Sequence, residues 1–227
     1  MGIAFVNKQL NNTNSGAASA LTSGAYTPAA AGNCLIIVGG FEFNGLATHI
    51  VLTTNTGNTI VSATDGQVHE YANTNNIALW VVPNANATAG TWTVTSTGYS
   101  GNAQVDIYEY SGVDVGGAQD GTASGTNSNV SANLTTSFGS SMILVAGCYG
   151  ASNTNGRTST HSAGFTERGN DAISGASVTG CCLADNIGPT AGTYADTITW
   201  APAPSTTFDS TIILALQAAG APIAWIT

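Results

Sequence analysis

The chain predicts an all-β protein, a single antiparallel β-sandwich or jelly roll built from two pseudo-repeated halves. Three observations lead there. Apolar residues come in short runs bounded by Gly, Asn and Pro, with no sustained helical periodicity. The order of those runs occurs twice. One stretch is nearly spelled out twice: Asn84–Trp92 reads NANATAGTW and Asn186–Tyr194 reads NIGPTAGTY. The repeat spacing, on the order of 100 residues, is too long for a solenoid. Two tandem Ig-like domains are the alternative. One domain over 1–227, with halves about 1–113 and 114–227, is preferred, because a half of about five strands has edges that a second half would cover.

Taken in order, Ile3–Asn7 is a first short strand. Asn11–Gly32 is polar and small, a loop with room for one short strand. Cys34–Phe43 is nearly continuously apolar, which predicts burial on both faces. Asn44-Gly45 is a hairpin signal, so His49–Thr53 is expected to return beside it. Thr59–Ala63, Gln67–Tyr71 and Ile77–Val82 follow as strands. Thr91–Thr97 alternates with Trp92, Val94 and Ser96 on one face. Ala103–Tyr110 alternates with Val105 and Ile107 opposite Tyr108 and Tyr110.

The second half opens on Val113–Ser140, polar like Asn11–Gly32 and expected as loop. Met142–Tyr149 echoes Cys34–Phe41 without a gap, and Asn155-Gly156 stands for Asn44-Gly45. Thr160–Glu167 is a weak strand, Ser177–Leu183 precedes the second TAGT, and Thr193–Trp200 and Phe208–Leu216 complete the set. Gly90 and Gly192 are expected to supply a turn conformation other residues resist, with Trp92 and Tyr194 anchoring the next strand. That makes TAGT a corner used twice.

Charge bounds the partners. Of 227 residues 7% are charged, with Lys8, Arg157 and Arg168 the only basic ones, and the net charge is −9. Nucleic acid and anionic membrane surfaces call for clustered Lys and Arg, so neither is an expected partner. No apolar run approaches a bilayer span. The Met1–Val6 start lacks a basic n-region, which predicts a form not exported through a signal peptide. A neutral Thr/Ser/Asn surface suits a protein packed against copies of itself.

The four cysteines, Cys34, Cys148, Cys181 and Cys182, sit in apolar runs without zinc spacing and read as buried free thiols, with structural disulfides as the minority alternative. Glu109 lies on the Val105/Ile107 face, and an inward carboxylate needs a partner. Arg168 is expected to supply it, as an ion pair linking the halves. Asp65 and Asp185 offer a calcium alternative in turns. The acids and the histidines His49, His69 and His161 show no catalytic pairing, and G-x-S-x-G is absent. No enzyme activity and no cofactor are expected. Trp80, Trp92, Trp200 and Tyr99 could stack on sugars, but the alternating strands put Trp92 and Trp200 in the core.

Four segments carry a resemblance: Asn33–Val38, Thr88–Thr91, Glu109–Gly112 (EYSG) and Gly164–Arg168 (GFTER). With them the chain resembles a widespread bacterial and phage β-sandwich family found in virion proteins and as modules of bacterial surface proteins. The resemblance implies the fold and says little of function. A copy standing alone favours the virion setting. The expectation is a capsid decoration protein, a homotrimer bound to the major capsid protein or another virion protein, made in the host cytoplasm. The alternative is a glycan-binding or adhesin module at a fibre, tail or cell surface. Trp225 and Ile223, in the apolar tail, are the interface candidates.

Overall fold

The computed structural model describes residues 2–10, 12–18, 20–42, 50–62, 69–71, 75–96, 101–114, 119–126, 130–137, 141–152, 158–171, 177–201 and 209–220. Among them there is no helix, and every sheet is antiparallel. The first half contributes β1 (Ala4–Gln9), β2 (Asn12–Ala18), β3 (Ala20–Thr22), β4 (Cys34–Glu42), β5 (Ile50–Thr54), β6 (Val61–Ser62), β7 (His69–Tyr71), β8 (Asn75–Val82), β9 (Trp92–Ser96) and β10 (Gly101–Ser111). The second contributes β11 (Gln119–Thr126), β12 (Val130–Thr136), β13 (Met142–Ser152), β14 (Thr158–Thr160), β15 (Thr166–Asp171), β16 (Ser177–Ile187), β17 (Gly192–Ala201) and β18 (Asp209–Leu216).

The strands form two inner and two outer sheets. One inner sheet runs β1-β10-β4-β8-β6, with β2 also on β10 and β7 on β8. The other runs β11-β18-β13-β16-β15. The outer sheets run β3-β9-β5 and β12-β17-β14. The sheet orders of the two halves are alike around β10-β4-β8 and β18-β13-β16, with ten strands in the first half and eight in the second among the described residues. The all-β, antiparallel sandwich class stands, and among the described residues its strands form four sheets.

Three cores hold the stack together. On β4, Leu35 and Ile37 face the outer sheet with Trp92 and Val94, while Cys34, Ile36 and Val38 face the other half. On β13, Ile143 and Val145 face outward to Ile198 and Trp200, while Met142, Leu144 and Ala146 face inward. Both faces of these strands are therefore dry, which is why their sequences are apolar without alternation. Each fully buried large side chain contributes about 1.5–3 kcal/mol. The middle core joins the halves. The alternation expected on Ala103–Tyr110 holds: Val105 and Ile107 face the outer sheet, Tyr108 and Tyr110 the other half.

Several expectations change. Asn44-Gly45 and Asn155-Gly156 lie outside the described residues, but β5 does not return beside β4. It pairs with β9 in the outer sheet. Both edges of β4 are already taken by β8 and β10. Asn11–Gly32, expected as loop with one short strand, carries two strands, and Val113–Ser140, expected as loop, also carries two. These strands pair with β10, β9, β18 and β17, and Leu21 of β3 and Leu134 of β12 also pack on the outer cores. Thr160–Glu167 is mostly the turn between β14 and β15.

The TAGT echo is not a corner used twice. Leu35 lies opposite Val82, and its counterpart Ile143 lies opposite Asn186, so Asn186 takes the place of Val82 and not of Asn84. At the next strand the Ser23 hydroxyl accepts from Trp92 N, and the Thr136 hydroxyl accepts from Gly192 N. Gly192 thus stands where Trp92 does. The connection runs 83–91 in the first half and only 188–191 in the second. Trp92 is buried, and Tyr194 packs half-buried on its own core.

Neither Gly90 nor Gly192 has a positive φ. Gly90 is held by a two-way backbone bridge to Tyr26, 2.8 and 2.9 Å. A Cβ there would collide with the Thr56 side chain. A Cβ on Gly192 would meet Tyr194 only at 3.8 Å. Gly90→Ala should therefore destabilise by about 1–3 kcal/mol through overpacking. Gly192→Ala should leave stability unchanged or raise it by up to about 1 kcal/mol by removing backbone freedom from a strand. Urea unfolding of the two variants checks the contrast, and equal effects would show that close approach at Gly90 is unimportant.

Candidate functional site

Two of the groups singled out in the sequence, Arg168 and Asp185, meet at the seam between the halves. β15 and β16 lie side by side, so Arg168 and Asp185 face one another. Arg168 Nε donates to Asp185 Oδ2 at 2.7 Å and Nη2 to Oδ1 at 2.9 Å, a two-pronged pair. The Asp185 side chain is 1% exposed and that of Arg168 24%. From the first half, Tyr110 donates its hydroxyl to Asp185 Oδ2 at 2.9 Å. Phe5 on β1 lies under the guanidinium, 4.8 Å from Cζ to ring centroid, and meets Tyr110 edge-on at 5.4 Å. Lys8 donates to the Arg168 carbonyl. Further along, Gln104 accepts the Cys181 backbone N–H at 2.8 Å and donates to Asp106 at 2.8 Å.

The electrostatics keep the Arg168 guanidinium charged and the Tyr110 hydroxyl protonated. The hydrogen bond to Asp185 raises the already high pKa of Arg168, outweighing desolvation. Burial, then the Asp185 charge, pushes Tyr110 well above its usual value, so its hydroxyl stays a donor. A buried carboxylate in this setting is tolerable because guanidinium and phenol satisfy it together.

Arg168 therefore does link the halves, but not through Glu109. Successive strand residues face opposite ways, so EYSG points Tyr110 at the second half and Glu109 at the first half's own outer sheet. Glu109 is inward-facing and fully buried, as its position on the Val105/Ile107 face implied. Its Oε1 accepts from Ala29 N at 2.8 Å and Asn33 Nδ2 at 2.5 Å, and Oε2 from the Tyr26 hydroxyl at 2.7 Å. It pins the 26–33 segment across the sheet end. Burial and the neighbouring Glu109 push the Tyr26 pKa up.

Asp185, expected in a turn with calcium as an option, is a strand residue whose two oxygens already hold Arg168 and Tyr110. Asp65, Trp225 and Ile223 lie outside the described residues. Asp196 was missed by sequence reading. It receives Ser162 N at 2.7 Å and sits 2.6 Å from His161 Nδ1. The signal for both acids was available: each is a carboxylate inside a strand, at a position an inward-facing residue would take. Among the described residues, no three His, Cys, Asp or Glu side chains group to hold a metal ion. Trp80, Trp92 and Trp200 are buried and cannot stack on a sugar, while Tyr99 lies outside the described residues. No helix among the described residues is long and apolar enough to cross a membrane.

All four cysteines are buried and free. No family model matches the chain, and no curated protein matches it.

Proposed function

We propose that this chain is a non-enzymatic structural protein of a virion, a capsid decoration protein that acts as a homotrimer and bridges capsomers. The observation that carries the reading is the chemistry of the two outward faces. On the β3-β9-β5 sheet, Thr22, Thr93 and Thr53 form a row across three strands. On the β12-β17-β14 sheet, Thr135 stands beside Thr193 and Thr160 beside Thr199.

Their hydroxyls turn toward neighbours. Thr22 and Thr93 bond each other at 2.8 Å and Thr135 and Thr193 at 3.0 Å, while Thr158 and Thr160 donate to the Ala201 and Thr199 carbonyls. The methyls are left for contact. Such faces suit broad, uncharged protein–protein contact, of order a thousand square ångströms for a stable interface. The resemblance to virion β-sandwich proteins points the same way. The buried carboxylates Glu109, Asp185 and Asp196 serve the fold, which fits a mechanical role.

Two measurements test this. Solution mass should give a stable trimer. Cryo-electron microscopy of purified virions should place the four-layer fold on the capsid lattice. A monomer that is absent from purified particles would overturn the reading.

A further inference from the structure

We propose that Cys148 and Cys181 are a disulfide-forming pair, closed when the chain folds under oxidising conditions. The two residues lie directly opposite each other on β13 and β16. Both side chains face the middle core, and both are free and fully buried. The Cys181 N–H is taken by Gln104, so it does not bond across to Cys148. That makes the pair a non-hydrogen-bonded one, where Cα atoms approach to about 4.5 Å, within the roughly 4.4–6.8 Å a disulfide spans.

The other two cysteines are placed differently. Cys182 faces the outer core, on the opposite side of β16 from Cys181. Cys34 pairs across β10 with Tyr110, whose hydroxyl reaches Asp185. Asp185 is about 13 Å along the strand from Cys181 at the usual rise per residue. The register therefore singles out one pair of the four.

The chemistry needs a disulfide oxidant, and oxidised glutathione serves. One cysteine thiolate attacks it, forming a mixed disulfide and releasing one glutathione thiolate. The second cysteine thiolate attacks the protein sulfur of the mixed disulfide and releases the other glutathione. Two protein thiols are oxidised, one glutathione disulfide is reduced to two thiols, and the protons pass from protein to glutathione. Burial raises the Cys181 pKa and closes access, so exchange belongs to the folding chain and not to the finished fold.

The test is to unfold the reduced protein, refold it with oxidised and reduced glutathione, alkylate under denaturing conditions, and map peptides. The expected result is a fall from four titratable thiols to two, with one internal Cys148–Cys181 bond. Cys34 and Cys182 should be fully alkylated. Four free thiols in the folded product, or a bond to Cys34 or Cys182, would overturn the proposal. A second route avoids refolding: the C34A/C182A variant expressed into an oxidising bacterial periplasm should lose both remaining thiols. Recovery of both thiols in soluble protein from that route would equally overturn it.

Discussion

Arg168→Met should cost about 3–5 kcal/mol of stability, among the largest single losses in the protein, because it leaves the Asp185 carboxylate buried with one neutral donor. The loss is a desolvation penalty, so its remedy is diagnostic. Adding Asp185→Leu to Arg168→Met removes the orphaned charge and should restore much of the stability, although no ion pair remains. Tyr110→Phe should cost less, about 1.5–3 kcal/mol, since it deletes a hydrogen bond to a charged acceptor and leaves the guanidinium in place. Urea unfolding of the three variants orders them. If Arg168→Met lies within about 0.5 kcal/mol of the parent, the level of an exposed surface pair, the seam is not held as described.

Alkaline pH should unfold the reduced protein over a narrow interval beginning near pH 9. Burial raises the thiols of Cys34, Cys181 and Cys182 above their usual 9.0 and the phenols of Tyr108 and Tyr110 above their usual 10.0. The folded protein keeps these protons where the unfolded chain releases them. Below the unfolded values their contribution is fully present, and it is lost as pH rises toward the folded ones. Each group then removes about 1.4 kcal/mol per pH unit. A total stability of about 5–15 kcal/mol cannot withstand several such groups for long. The urea midpoint should be flat from pH 7 to about 8.5 and fall steeply above 9. A midpoint that declines no faster above pH 9 than below it would mean that these groups ionise within the fold.

Alternation and apolar runs were enough for the elements with dry faces. Cys34–Phe43 read as a doubly buried strand with Met142–Tyr149 as its echo, and β4 and β13 are the centres of the two inner sheets. The inward turn of Glu109 was legible from the same alternation. Its partner was not. Choosing Arg168 for Glu109 followed from the scarcity of arginines, whereas Tyr26, Asn33 and a backbone N–H could satisfy the carboxylate without a charge. The strands β2, β3 and β11 were hard to see because their sequences carry little apolar pattern, while the short Val130, Ala132, Leu134 alternation of β12 was passed over inside a polar stretch. They exist through hydrogen bonds to strands far away in the chain.

The repeated TAGT shows the same boundary most clearly. By itself the sequence determined the all-β class, the apolar centres of both halves and which side chains share a strand face, since those depend on neighbours one or two residues away. Sheet membership, the offset between Gly90 and Gly192, and the Arg168–Asp185–Tyr110 seam came from pairings between distant strands. There a register is selected by packing and hydrogen bonding across the whole ladder, and four similar residues at a strand entry have no power to set it.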